Sequence, residues 1–210
     1  MSSNDDLKSD KLKDIYGKNR SVDDQRKIYR EWADTYDNQT TNEFGWMGFK
    51  PAAEAFAARV TDKAARILDA GCGTGLSGMA LADQGFTNLH GRDLSPEMLR
   101  IANKRGVYRS LGEVDLTQPV SVDEPFDAVI ASGVFGYGPP HAEHIPHLIN
   151  AAKPGGIVIL TVNGKGWDDM DWDARLHNVV SANQLNLEEQ LEIKYLEKEE
   201  ISGQLLSFRA

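Results

Sequence analysis

Asp69, Gly71, Gly73 and Gly75 alternate along Leu68-Asp69-Ala70-Gly71-Cys72-Gly73-Thr74-Gly75. A carboxylate followed by glycines at every second position lets backbone N–H groups approach a ligand closely, because residues without Cβ turn tightly and leave room. Asp93 and Asp115 lie downstream, and a carboxylate can accept several hydrogen bonds from a ligand's hydroxyl or amino groups. His141, His144 and His147 offer the other chemistry, since imidazoles titrate near neutral pH and transfer protons. Their spacing raises a metal site, but Pro146 interrupts it and no cysteine or carboxylate set accompanies it, so no metal is expected. Cys72, the single cysteine, has no histidine near it in sequence and reads as a small spacer offering its backbone N–H.

The elements that must position these residues follow from hydrophobic pattern and caps. Arg66 to Ala70 reads as a buried parallel strand, and the apolar positions from Leu76 onward as a helix starting after the glycine turn. Asn88 to Arg92 is a second strand; Ser95 caps the following helix, Pro96 takes its first position and Gly106 closes it. A shorter strand ends near Val114, and Phe126 to Ala131 and Gly156 to Val162 are further strands separated by a helix over His144 to Ala152. This alternation requires a parallel sheet with helices on both faces. Upstream, Ser21 caps a helix running toward Tyr36, Thr40 to Gly48 reads as a loop with apolar anchors, and Lys50 to Val60 is a helix with Pro51 in its first turn. Two apolar runs at Leu191 to Leu196 and Leu205 to Phe208 lie too close together for a crossover helix and are expected to pair as an antiparallel hairpin. The expected domain plan is a polar segment over residues 1–20, free of fixed structure, then one domain over 21–210 whose first part, about 21–62, is a helical cap.

Bulk properties narrow the partners. The chain has 210 residues and a net charge of −9, and it lacks the Lys and Arg clusters that phosphate-backbone binding needs, so no nucleic-acid partner is expected. Gly155 to Val162 is far too short to span a bilayer, and the polar N-terminus has no signal-peptide pattern. A cytoplasmic protein, monomeric or homodimeric, is the expectation.

Two ligands compete for the glycine turn. Gly73-Thr74-Gly75-Leu76-Ser77-Gly78 matches the dinucleotide fingerprint, with Asp93 about twenty residues on, which suits an NAD-dependent oxidoreductase. That reading leaves Asp69 and Gly71 unexplained. The full stretch from Leu68 to Gly75 resembles motif I of class I S-adenosylmethionine-dependent methyltransferases. The blocks Gly91 to Leu99, Asp115-Leu116, Phe126 to Ile130 and Leu148 to Val162, with Lys153-Pro154-Gly155-Gly156, resemble the family's later motifs in the same order. The likeness runs from about Tyr29 to Val162 and is greatest to the small-molecule-type branch, including the methyltransferase-like group from the Williams–Beuren region. Arg92 departs from the pattern, standing where an apolar strand residue is usual.

The resemblance implies a Rossmann-like α/β fold: a seven-stranded, mostly parallel sheet with an antiparallel C-terminal hairpin, helices on both faces and the N-terminal cap. It implies S-adenosylmethionine as cofactor, S-adenosylhomocysteine as product and a small-molecule methyl acceptor. Residue by residue, it implies that Gly71, Cys72, Gly73 and Gly75 wrap the amino-acid end and ribose, while Asp69 fixes the turn and attracts the α-ammonium. Asp93 would take the ribose hydroxyls, and Asp115 and the Leu116 N–H the adenine. Leu94 and Met98 would sandwich the ring, Ser132 and Gly133 line the methionine portion, and Tyr36 close over it.

Methyl transfer from a sulfonium is an in-line displacement in which the protein chiefly aligns the reactants and excludes water. A base is needed only for a protonated acceptor, and His141 is the candidate. Phe44, Trp46, Trp167 and Trp172 are expected to roof the acceptor pocket. An inactive cofactor-binding or scaffold protein is the remaining alternative.

Overall fold

The computed structural model describes Leu7, residues 9–16 and residues 20–210. The expectation for residues 1–20 falls half outside the described residues. Within that stretch Asp10–Ile15 forms a helix, α1, and Leu7 and Leu12 are buried beside Trp32 and Tyr195.

Seven strands form one sheet in the order β3-β2-β1-β4-β5-β7-β6. Strands β1 (Ile67–Ala70), β2 (Leu89–Asp93), β3 (Tyr108–Glu113), β4 (Phe126–Phe135) and β5 (Ala152–Asn163) run parallel. β7 (Ile201–Arg209) lies antiparallel against β5, and β6 (Asn186–Leu196) pairs antiparallel with β7 at the edge. The expected hairpin therefore folds back, so that its second strand pairs with β5 and its first forms the sheet edge. Every residue of β1 is buried, Asp69 included, because both of its faces are covered. One face packs Ile67, Ile130 and Ile159 against Phe56 and Phe86; the other packs Leu68, Val129 and Leu160 near Trp172 and Leu176.

Local signals account for most helices. In α2 (Val22–Trp32) the Ser21 hydroxyl accepts from the Asp24 N–H at 3.1 Å, and the Asp24 carboxylate accepts from the Ser21 N–H at 3.0 Å, a closed capping box. α3 spans Phe49–Arg59 and α4 spans Leu76–Asp83. In α5 (Pro96–Arg105) the Ser95 hydroxyl accepts from the Met98 N–H, and Gly106, at φ 69°, ends the helix. The segment expected as a helix over His144 to Ala152 is a 3-10 turn, Ala142–His144, followed by the short α6, Ile145–Ile149.

Two segments depart from the sequence reading. The expected loop after Thr40 contains a π-helical turn, Asn38–Glu43, whose Thr40 and Thr41 hydroxyls donate back to the carbonyls of Tyr36 and Asp37. The acidic aromatic stretch after β5 is two helices, α7 (Gly164–Asp169) and α8 (Trp172–Asn183), separated by Asp171 in a left-handed conformation. Among the described residues no helix is long and apolar enough to cross a membrane.

Candidate functional site

The sheet order reverses between β1 and β4: from β1 the chain builds outward through β2 to β3, then returns to place β4 on the other side of β1. Open α/β sheets bind ligands at the carboxyl ends of strands flanking such a switch. A cleft of about 810 Å³, counting space open to solvent, lies there. Most of the sequence-predicted site residues meet in its walls: Tyr36, Gly71, Cys72, Gly73, Asp93, Leu94, Met98, Asp115, Leu116, Ser132 and Gly133.

The strand ends set this geometry. The Gly71 and Cys72 N–H groups both donate to the Arg92 carbonyl, at 2.7 and 3.0 Å, so the turn is held against β2. The Gly73 N–H donates to Asp93 Oδ2 at 2.8 Å, and the Ser95 N–H to Asp93 Oδ1 at 2.9 Å. One carboxylate thus ties the turn after β1 to the start of α5, with lone pairs left for a ligand. Burial raises the Asp93 pKa above the ordinary carboxylate value, opposed by these N–H donors. Asp115 is fixed by Thr117, whose N–H and hydroxyl donate to Oδ1 at 2.9 and 2.7 Å.

The glycines differ in what surrounds them. A Cβ on Gly71 would lie 2.3 Å from Val134 Cγ2, so this position belongs to the wall between β1 and β4. Gly73 has φ +53°, and a Cβ there would meet nothing within 4 Å; it would project into open space. Gly75, expected to wrap the ligand, does not line the cleft. It starts α4, and a Cβ there would press on Tyr108, Arg105 and Ala102, so its smallness serves the packing of α4 against α5 and β3.

Asp69 also lies outside the cleft lining. It is fully buried beneath the turn, where the Tyr108 hydroxyl donates to Oδ2 at 2.6 Å while Oδ1 has no partner among the described residues. Burial pushes its carboxyl up to about 7; the Tyr108 bond opposes the rise and the charge of Asp93 adds to it. Burial likewise raises the Cys72 thiol well above its usual value, which leaves it unreactive.

His141, the candidate base, is not in the cleft lining. Its backbone N–H donates to His144 Nδ1 at 3.0 Å as the cap of the 3-10 turn, and its ring lies within the electrostatic reach of Glu143 and Arg175. His147 Nδ1 instead faces the Leu116 carbonyl at 3.3 Å. The His144 and His147 rings thus face different local groups, the buried Nδ1 of His141 meets no hydrogen-bond partner among the described residues, and no group of three described His, Cys, Asp or Glu side chains is placed to hold a metal. Trp172, expected in a roof, is core: it is fully buried, donates from Nε1 to the Gly136 carbonyl at 2.9 Å, and stacks with Trp167. Trp46 does line the cleft, beside Gly133.

Sequence reasoning missed the residues that close the cleft from above. Val22, Gln25 and Tyr29 of α2 line it with Tyr36, and Pro139 and Pro140 face them from beyond β4. Gln25 Nε2 donates to the Pro139 carbonyl at 3.4 Å. The i, i+4 spacing of Gln25 and Tyr29 on a capped amphipathic helix was the available signal. At the other end of the cap, the Asp37 carboxylate accepts from the Thr74 hydroxyl and pairs with Arg105, and Asp34 pairs with Arg100 at 3.0 Å.

Comparison with known proteins adds to this geometry. The methyltransferase domain family model matches residues 67–156, which run from β1 to the turn within β5. The chain is 44% identical over 99 residues to methyltransferase-like protein 27 of Homo sapiens, covering 46% of this chain and 40% of that protein. It is 30% identical over 127 residues to trans-aconitate 2-methyltransferase of Azoarcus sp., covering 60% of this chain and 50% of that one. The chain thus spans half the length or less of these curated relatives. A TehB-like SAM-dependent methyltransferase structure from Corynebacterium glutamicum superposes with a TM-score of 0.61 at 23% identity, over 86% of this chain and 96% of that one, a likeness of fold. The chain has the class I S-adenosylmethionine-dependent methyltransferase fold and is homologous to the methyltransferase-like proteins.

Proposed function

We propose that the protein transfers a methyl group from S-adenosylmethionine to a small-molecule acceptor. The observation that carries this reading is one cleft in which the Gly71–Gly73 turn, Asp93, Asp115 and the cap tyrosines face one another. The donor set fits the cofactor: the open space beyond Gly73 is a cradle that any side chain would fill, and two separate carboxylates keep hydrogen-bonding capacity toward the cleft.

When bound, S-adenosylmethionine supplies a methyl group already activated on a sulfonium. In this reading Asp93 accepts from the ribose hydroxyls, and Asp115 and the Leu116 N–H hold the adenine edge. Leu94 and Met98 cover the adenine faces, with Met98 only 1% exposed and so set firmly in α5. Ser132 and Gly133 line the methionine end, while Tyr29 and Tyr36 exclude water from above. Asp69 supports the turn from beneath through Tyr108. His141 lies too far into its own turn to line the cleft, so transfer in this reading proceeds by alignment and desolvation.

A dinucleotide reading meets an electrostatic obstacle. NAD would place its pyrophosphate at the N-terminus of α4, where backbone N–H groups favour an anion. Asp37 already brings a carboxylate to that end, hydrogen-bonded to Thr74 and paired with Arg105, so a pyrophosphate would compete with it for both groups. Calorimetric titration with S-adenosylhomocysteine and with NAD tests the assignment. Binding of adenosylhomocysteine that is lost in Asp93→Ala supports it; binding of NAD in its place overturns it. Labelled methyl transfer over an acceptor panel then separates an enzyme from an inactive cofactor-binding protein.

A further inference from the structure

A second cavity, of about 650 Å³ counting space open to solvent, adjoins the first beneath the cap. The two share Gln25, Tyr29, Tyr36, Trp46, Gly133 and Val134, so they meet where the methionine end is placed above. Beyond this common wall the second cavity is aromatic: Tyr16, Trp32, Phe44, Phe135, Tyr137 and Tyr195 line it. Tyr16 and Tyr137 stack at 4.8 Å, and the Tyr137 hydroxyl is anchored on Asp169.

The walls are defined equally by what they lack. Among the described residues that line this cavity there is no Asp, Glu, His, Lys or Arg. The polar groups of its tyrosines are no substitute for a base, because burial holds the phenols of Tyr16, Tyr29, Tyr36 and Tyr195 above their ordinary pKa, Tyr29 at about 12. A carboxylate-bearing acceptor would meet no cation among the described residues of the lining, a costly burial. A phenol or an alkylammonium would arrive carrying a proton that no described residue of the lining removes. A flat ring with a pyridine-type nitrogen meets both conditions, since it is uncharged and its lone pair is free at neutral pH.

We infer that the second cavity seats the methyl acceptor, and that this acceptor is a planar, uncharged nitrogen heterocycle methylated on its ring nitrogen. The inference rests on the methyl-transfer reading above. The acceptor's nitrogen lone pair forms the new N–CH3 bond as the C–S bond of S-adenosylmethionine breaks, and the pair from that bond stays on sulfur. Positive charge passes from sulfonium to heterocycle, and no proton is released. The ring faces around the cavity stabilise a cation delivered among them.

Quinoline and its product analogue N-methylquinolinium serve as probes with the full chain. Calorimetry with adenosylhomocysteine bound should show N-methylquinolinium binding, weakened about tenfold by Tyr137→Leu and retained in Tyr137→Phe, which keeps the ring face. Both variants should bind adenosylhomocysteine as the wild type does, which also establishes that they fold. Labelled methyl should enter quinoline in preference to catechol or trans-aconitate. Preference for catechol or trans-aconitate, or no binding of N-methylquinolinium to the adenosylhomocysteine complex, overturns the inference while leaving methyl transfer intact. Failure of adenosylhomocysteine itself to bind overturns the methyl-transfer reading and this inference with it.

Discussion

The Thr74 hydroxyl donates to the carboxylate of Asp37, joining the turn after β1 to the cap that covers it. The other Asp37 oxygen pairs with Arg105 at the end of α5, and Arg105 Nε donates to the Thr74 carbonyl at 3.2 Å. Three elements distant in sequence thus share one polar node. The cap is held at its other end by Gln25 and Pro139, and from behind by the Met47 N–H donating to the Tyr195 carbonyl at 2.9 Å. The roof of the cleft is therefore positioned by the floor it covers.

Asp37→Ala should release the cap from the turn. It leaves Arg105 and Thr74 without their shared acceptor, at a cost of about 1–3 kcal/mol of stability for a charge-assisted pair that is partly screened by solvent. Adenosylhomocysteine affinity should fall about tenfold. Thr74→Val, which keeps the ion pair, should lose only about 1 kcal/mol. Chemical denaturation and calorimetry on both variants check the ordering; equal effects would show that the hydroxyl, not the ion pair, carries the link.

Elements whose signals are local were readable in the sequence. Ser95, Pro96 and Gly106 mark α5 by themselves, and the alternating glycines mark the turn, because caps and turns are decided by residues a few positions apart. The π-helical turn at Asn38–Glu43 was not readable, since its Thr hydroxyls bond back to the chain in a way that a polar segment does not announce. Trp172, expected in a roof, is core instead, because its burial depends on Phe135 of β4 and Gly136 just after it, both distant in sequence. Asp69 shows the same limit at the site. That it fixes the turn is expected from the sequence, but the partner that anchors it, Tyr108, is 39 residues away on an edge strand, a pairing no local pattern reveals.

Gly73→Ala should separate ligand binding from folding. The methyl would meet no protein atom, so the folding cost is the backbone strain of a positive φ, about 1 kcal/mol. The same methyl projects into the cleft, and adenosylhomocysteine affinity should fall by more than tenfold. Thermal unfolding beside calorimetry is the check; unchanged affinity would mean that the ligand does not approach this backbone.

Gly78→Ala should act at a distance. A Cβ there would lie 2.1 Å from the Tyr108 hydroxyl oxygen, so the ring must move away from Asp69. The displaced hydroxyl leaves both Asp69 oxygens buried without a donor, destabilising the fold by about 2–4 kcal/mol. Tyr108→Phe loses the same hydrogen bond without the clash and should cost less. A larger loss in Tyr108→Phe than in Gly78→Ala would contradict the assigned contact.

Asp69 also gives stability a pH dependence of unusual sign for a carboxylate. Its folded pKa of about 7 lies above the ordinary unfolded value near 4, so between these values the folded state holds the extra proton. Unfolding then releases a proton, and stability falls as pH rises from about 4 to about 7, flattening once both states are ionised. Asp69→Asn keeps an acceptor for the Tyr108 hydroxyl but cannot ionise. Its contribution should be flat across this window, and at pH 8 it should exceed the wild type by on the order of 2–4 kcal/mol. Urea unfolding of both proteins at pH 5, 6, 7 and 8 measures the difference. Parallel curves for the two proteins would mean that Asp69 is ionised throughout and that its buried Oδ1 has a source of support beyond Tyr108.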